Sequence, residues 1–146
     1  MDTPPVDSTE LANRLRPVLL HLNRHLRREV HRLGVSATQV SLLAAICDRP
    51  GIGVNELAQR EGTSAPAMSG QVDKLEAAGL VERQRDRETD RRRIGLRVTS
   101  AGHRVLRAVR SGRTAWLASR LQAVSPQERE RIASAVDALA ALVHQA

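Results

Sequence analysis

Apolar residues recur at helical spacing through most of the chain. Leu11, Leu15, Val18, Leu19, Leu22, Leu26, Val30 and Leu33 fall three or four apart, which aligns them on one stripe of a helix from about Thr9 to Leu33. Ser8 supplies its N-cap, Pro17 predicts a kink or a reset start, and Gly34 stops it. Ser36 caps a second helix carrying Val40, Leu42, Leu43 and Ile46, which Arg49, Pro50 and Gly51 break. A short third helix over 53–61 turns Val54, Leu57 and Ala58 inward. Glu61-Gly62-Thr63-Ser64 reads as a turn. Ser64 then caps a fourth helix that tolerates Pro66 in its first turn, turns Met68, Val72 and Leu75 inward, runs to about Ala78 and ends at Gly79.

The period then changes from 3.6 to 2. Val81–Arg85 and Ile94–Val98 each alternate between two faces, and eight residues rich in charge separate them, so the pattern predicts two antiparallel strands joined by a charged loop. Thr99 or Ser100 caps a long helix to about Val124, with Val105, Leu106, Val109, Trp116, Leu117 and Leu121 as its apolar positions. Ser125-Pro126-Gln127-Glu128 is a capping box with proline at the first helical position; the final helix after it is expected to bury Ile132, Val136, Leu139 and Val143. No internal repeat is visible.

Composition sharpens this outline. A length of 146 residues suits one compact domain, or a small domain that shares its core with a partner. There is no Phe or Tyr, and Trp116 is the one tryptophan, so the core must be built from Leu, Val, Ile and Ala. Each such residue buries less apolar area than an aromatic one, which hints at oligomerisation. The same absence argues against single-strand or RNA binding on aromatic stacking platforms. The 23 basic residues against 16 acids leave a net charge of +7, and Lys74 is the only lysine. GC-rich codons can explain arginine over lysine, but not the excess itself. That excess points to a polyanion, nucleic acid before an anionic membrane surface. Cys47 is the only cysteine, so no intrachain disulfide forms. No apolar run approaches the roughly 18 residues that span a bilayer, and the acidic, Pro-rich start lacks the apolar core of a signal peptide. A soluble, cytoplasmic protein without a membrane partner is expected. No HExxH, Gly-rich phosphate loop or nucleophile–base–acid set is present, so neither an enzyme nor a cofactor is expected.

Two short helices joined by a tight turn can present the second to the major groove of DNA, which is wide enough for one helix. The hairpin that follows is basic: residues 83–97 hold seven arginines and three acids, a net of +4. A narrow minor groove attracts inserted arginine. A merely solvated hairpin could carry the same charge, but its place directly after the helix–turn–helix pattern favours nucleic acid.

Five segments, in this order and spacing, carry a resemblance: Gly34-Val35-Ser36-Ala37-Thr38-Gln39; Glu56-Leu57-Ala58; Leu75 to Arg83; Thr89-Asp90-Arg91-Arg92-Arg93; and Leu96 to Gly102. Over about residues 9–145 the chain resembles the MarR family, the multiple-antibiotic-resistance-type regulators. The resemblance implies a mainly α fold with a small β-hairpin wing: a winged helix-turn-helix domain over 35–99, and a helical dimerisation region over 8–34 and 100–146, after a disordered lead-in at 1–7. It also implies a homodimer with interlocked terminal helices that binds a pseudo-palindromic operator on double-stranded DNA, usually to repress. Release would come from a small ligand or from oxidation. Two other readings stay beside it: a non-specific architectural DNA-binding protein, and a redox-sensing regulator acting through Cys47, although a free cysteine at the end of the second helix also serves as a small core residue.

At 100° per residue Pro66, Ser69, Gly70 and Asp73 face outward on the fourth helix, with Ala67 and Lys74 toward one side. Ser69 is the best base-edge candidate, because a hydroxyl can serve several bases. Ser64, Ala65 and Pro66 open the helix, where Ser64 can offer its hydroxyl or amide to a phosphate. Lys74, with Thr38 and Gln39 at the start of the second helix, suits phosphate. Ala67 and Gly70 depart from the family, whose members commonly carry Thr and a basic residue there. On the wing, Arg85 and Arg93 add charge; the resemblance implies that Arg92 enters the minor groove, with Arg91 as the neighbouring alternative, and that Asp90 braces an arginine. Candidate dimer residues are Leu11, Leu15, Leu19, Leu22, Trp116, Leu121, Ile132, Val136, Leu139 and Val143. His21 and His25, with His31 and His103, fit a solvated or dimer-facing surface better than a metal site. The resemblance implies an effector pocket. Without Tyr or Phe its lining would be aliphatic and Arg side chains, which suits an anionic amphipathic molecule. A small anionic or aromatic effector is the partner expected, with Trp116 placed in the dimer core ahead of the pocket wall.

Overall fold

A computed structural model describes residues 4–85 and 94–144. Six helices and one hairpin follow in the order α1 (Ser8–His31), α2 (Ala37–Asp48), α3 (Val54–Arg60), α4 (Ala65–Ala77), β1 (Val81–Arg85), β2 (Ile94–Val98), α5 (Ser100–Ala123) and α6 (Pro126–Val143). The elements match the expected ones to within one or two residues at each end.

The start of α1 differs from expectation. Its N-cap is Asp7, whose carboxylate accepts the Thr9 N–H at 3.1 Å, and Ser8 is the first helical residue. An ionised carboxylate satisfies the orphan donor and gains from the helix dipole, so it takes the cap over a neighbouring hydroxyl. Residues 4–7 of the lead-in hold no helix or strand; its first three residues lie outside the described residues. Nor does Pro17 reset the helix, which runs through it unbroken. The missing N–H leaves only the Asn13 carbonyl without its partner, and at this exposed position water can serve that carbonyl. The start of α2 is a full capping box: Ser36 Oγ accepts the Gln39 N–H at 3.1 Å, and Gln39 Oε1 accepts the Ser36 N–H at 3.0 Å. Between α3 and α4 the chain turns at Gly62, whose φ of +66° favours glycine.

β1 and β2 pair antiparallel with Val81 opposite Val98, Arg83 opposite Leu96 and Arg85 opposite Ile94. The sequence pattern did not reveal a third edge. The Leu96 N–H donates to the Ile52 carbonyl and the Gly51 N–H to the Leu96 carbonyl, both at 2.8 Å, so the segment entering α3 is stitched onto β2.

The main core lies inside residues 42–96. Leu42, Leu43 and Ile46 of α2 meet Leu57 and Ala58 of α3, Met68, Val72 and Leu75 of α4, and Ile52, Leu80, Val81 and Leu96 around the hairpin. It is aliphatic apart from Met68, as the composition requires. A smaller cluster of Val30, Val40 and Val109 ties α1 and α5 to α2. The two terminal regions differ sharply from this. Only Val30 of α1, only Gly102 and Val109 of α5, and nothing in α6 is buried. The expectation that the last helix buries Ile132, Val136, Leu139 and Val143 fails within one chain: all four are exposed, Val143 at 81%. Their stripe is helical and apolar, and in one chain it is left exposed.

Candidate nucleic-acid interface

Helix α4 stands between α3 and β1 with Met68, Val72 and Leu75 turned into the core. The opposite side is open: Ser64, Ala65, Pro66, Ala67, Gly70, Asp73 and Lys74 are all exposed. Ser64 Oγ accepts the Ala67 N–H at 3.3 Å, so this hydroxyl caps the helix. Ser69 departs from the expected outward position. It is half-buried, because it lies about a quarter-turn from the buried stripe rather than opposite it. Gly70 has no heavy atom within 4 Å of the place a Cβ would occupy, which marks open space.

Of the flanking candidates, Thr38 is exposed in the first turn of α2. Gln39 is half-buried and its side-chain oxygen is engaged in the capping box. Arg85 is exposed at the end of β1. Asp90, Arg91, Arg92 and Arg93 lie outside the described residues.

Arg83 plays a part the sequence did not suggest. Its Nη2 meets Asp73 Oδ1 at 2.9 Å and its Nη1 meets Glu76 Oε1 at 3.1 Å. One guanidinium on β1 therefore spans two carboxylates on neighbouring turns of α4, using both of its terminal nitrogens. Arg83 counts toward the positive charge of the hairpin but spends that charge on the acids of the helix. The signal was present: Asp73 and Glu76 stand three apart on α4, and an arginine stands on the next strand. Periodicity alone could not show that they meet.

The candidate dimer residues divide. Leu11, Leu19, Leu22, Ile132, Val136, Leu139 and Val143 are exposed, whereas Leu15, Trp116 and Leu121 are half-buried. Trp116 already has partners in its own chain. The His25 ring stacks on it at 5.1 Å and 16°, the Arg120 guanidinium carbon lies 5.4 Å from its ring centre, and His21 lies 6.4 Å from His25. An open cleft of 560 Å³ runs beside this stack, lined by Pro17, Val18, His21, Leu22, His25, Trp116 and Arg120. Cys47 is a half-buried free thiol on α2. Among the described residues, no helix is long and apolar enough to cross a membrane.

Comparison with known proteins settles the lineage. Residues 33–93, which run from the turn before α2 past β1 and end just before β2, match the model of the MarR family. An HTH-type transcriptional regulator of Mycobacterium bovis is 31% identical over 135 residues, covering 92% of this chain and 94% of the relative. The chain belongs to the MarR family. Its fold is that of solved regulators. A transcriptional regulator protein from Pseudomonas aeruginosa PA01 superposes with a TM-score of 0.83 at 28% identity, covering 98% of this chain and all of that one. A mutant of Staphylococcus aureus MepR, solved bound to an oligodeoxyribonucleotide, superposes with a TM-score of 0.71 at 18% identity over 92% of this chain and 98% of that one. As a MarR-family regulator, this chain carries its helix-turn-helix in α3 and α4 and its wing in β1 and β2.

Proposed function

We propose that this regulator binds a pseudo-palindromic operator as a homodimer, most often to repress, and that a small ligand releases it. Residues 35–99 form the DNA-binding domain; residues 8–34 and 100–146 form the dimerisation region. The observation that carries the reading is the open outer side of α4, with Ala65, Pro66, Gly70 and Lys74 exposed next to a basic wing. In this reading the first turn of α4 and the flanking Ser69 meet base edges, while Ser64, Thr38, Gln39 and Lys74 serve phosphates. Arg85 and the wing positions Asp90 to Arg93 engage the neighbouring groove, with Arg92 or Arg91 inserted and Asp90 as the brace.

Dimerisation is supported by the apolar residues that α1 and α6 leave exposed in one chain, among them Leu11, Leu19, Ile132 and Val136. Two α4 helices must then stand about 34 Å apart to enter successive major grooves. For the effector, the support is the cleft beside Trp116. Its aromatic wall and Arg120 suit an anionic or aromatic molecule. Val18 and Leu22 line the same cleft and neighbour the dimer face, so an occupant there would be felt by the partner chain.

The test is selection of bound fragments from genomic DNA, followed by titration of the recovered duplex against scrambled sequence. One operator bound at least about a thousandfold more tightly than random duplex is expected for specific recognition. Equal binding to every duplex makes the protein architectural instead. Arg91→Ala with Arg92→Ala should weaken operator binding strongly and leave the dimer intact; an unchanged affinity removes the wing assignment.

A further inference from the structure

We propose that Arg83 is a positioning residue for DNA binding, one that prepares α4 by neutralising its two acids rather than by touching DNA. This rests on the DNA-binding reading above. Asp73 and Glu76 are 62% and 42% exposed on the flank of α4 that continues from Pro66 and Ser69. A phosphate backbone brought to that helix meets two like charges, and each unscreened carboxylate opposes binding. Arg83 removes this repulsion. Its guanidinium is only 28% exposed and is shared between both carboxylates at 2.9 and 3.1 Å. Both terminal nitrogens are thereby occupied, and the side chain spans from β1 to α4 rather than reaching past the hairpin. Lys74, on the far side of α4 from Glu76, is exposed and is left as the cation available to phosphate from this helix.

The arrangement also links the two DNA-facing elements. Arg83 lies on the strand that leads into the wing, and its two bonds hold that strand against the end of the recognition helix. A lysine is a poorer substitute, because one ammonium nitrogen must serve both carboxylates, whereas the guanidinium gives each its own terminal nitrogen.

The experiment measures binding of the recovered operator duplex to the full-length protein as a function of salt. Arg83→Gln should weaken binding about tenfold, because two carboxylates become uncompensated beside phosphate. The triple variant Arg83→Gln, Asp73→Asn, Glu76→Gln should return to wild-type affinity with the wild-type salt slope. Asp73→Asn with Glu76→Gln should bind at least as tightly as wild type, and this arm stands if Arg83→Gln alone folds poorly. A triple variant as weak as Arg83→Gln, with a salt slope shallower by about one, would instead place Arg83 on a phosphate and overturn the proposal. So would weakened binding by the pair variant. Failure of the wild-type protein to bind any duplex strikes the DNA-binding reading, and is read separately from these variants.

Discussion

Gly95 on β2 lies backbone to backbone against Gly51. A Cβ at residue 95 would stand 2.6 Å from the Gly51 carbonyl oxygen and 2.8 Å from its Cα. This contact lets Leu96 form its two hydrogen bonds to residues 51 and 52, which hold the hairpin on the helical core. Gly95→Ala must force the two backbones apart, and neither can yield as a flexible side chain would. The expected cost is about 2–3 kcal/mol. Urea unfolding should show it as a lower midpoint at an unchanged slope. A variant as stable as wild type would contradict the close approach.

Gly70 is the opposite case. It sits inside α4, and nothing lies within 4 Å of a Cβ placed there. Gly70→Ala should therefore stabilise the protein by about 1 kcal/mol through helix propensity. Thermal unfolding checks the gain. If the variant also binds the operator less tightly, the glycine is kept for close approach of the backbone to DNA; if affinity is unchanged, it is not.

Gln39 was a phosphate candidate from sequence, yet its side chain closes the capping box of α2. Gln39→Ala and Ser36→Ala should each cost about 1 kcal/mol of stability by opening that cap. Denaturant melts measure it. Gln39→Ala should also lower operator affinity more than Ser36→Ala does if the residue serves phosphate as well. Equal affinities for the two variants confine Gln39 to the cap.

The terminal helices carry the test of assembly. Ile132 and Val136 are 45% and 55% exposed on α6. Neither belongs to the buried core, so with Glu at both positions each protomer should keep its helix-turn-helix core. Sedimentation should then report monomers, against the dimer expected of the wild-type protein. A variant that stays dimeric would place the interface elsewhere.

The helices and strands were legible because their signals are local. The change of period at Val81, the caps at Ser36, Ser64 and Ser125, and the glycines at 34, 62 and 79 each act within a few residues. Where two local signals compete, the pattern alone does not choose. Asp7 and Ser8 are both good caps, and the charge of Asp7 decides. Likewise, Ser69 counts as outward by wheel geometry, but a residue about 100° from the buried stripe is shaded by its neighbours.

What the sequence by itself determined is the list of elements, the aliphatic character of the core, the excess of arginine and the family resemblance. Each follows from side-chain spacing or from counting. The tertiary structure alone decided the pairing of Arg83 with Asp73 and Glu76, the stitching of residues 51 and 52 onto Leu96, and the apolar stripe of α6 left uncovered by its own chain. These depend on which segments the core brings together. The energies that choose them are summed over many weak contacts between residues far apart in the chain, and no window of sequence contains both sides of such a contact.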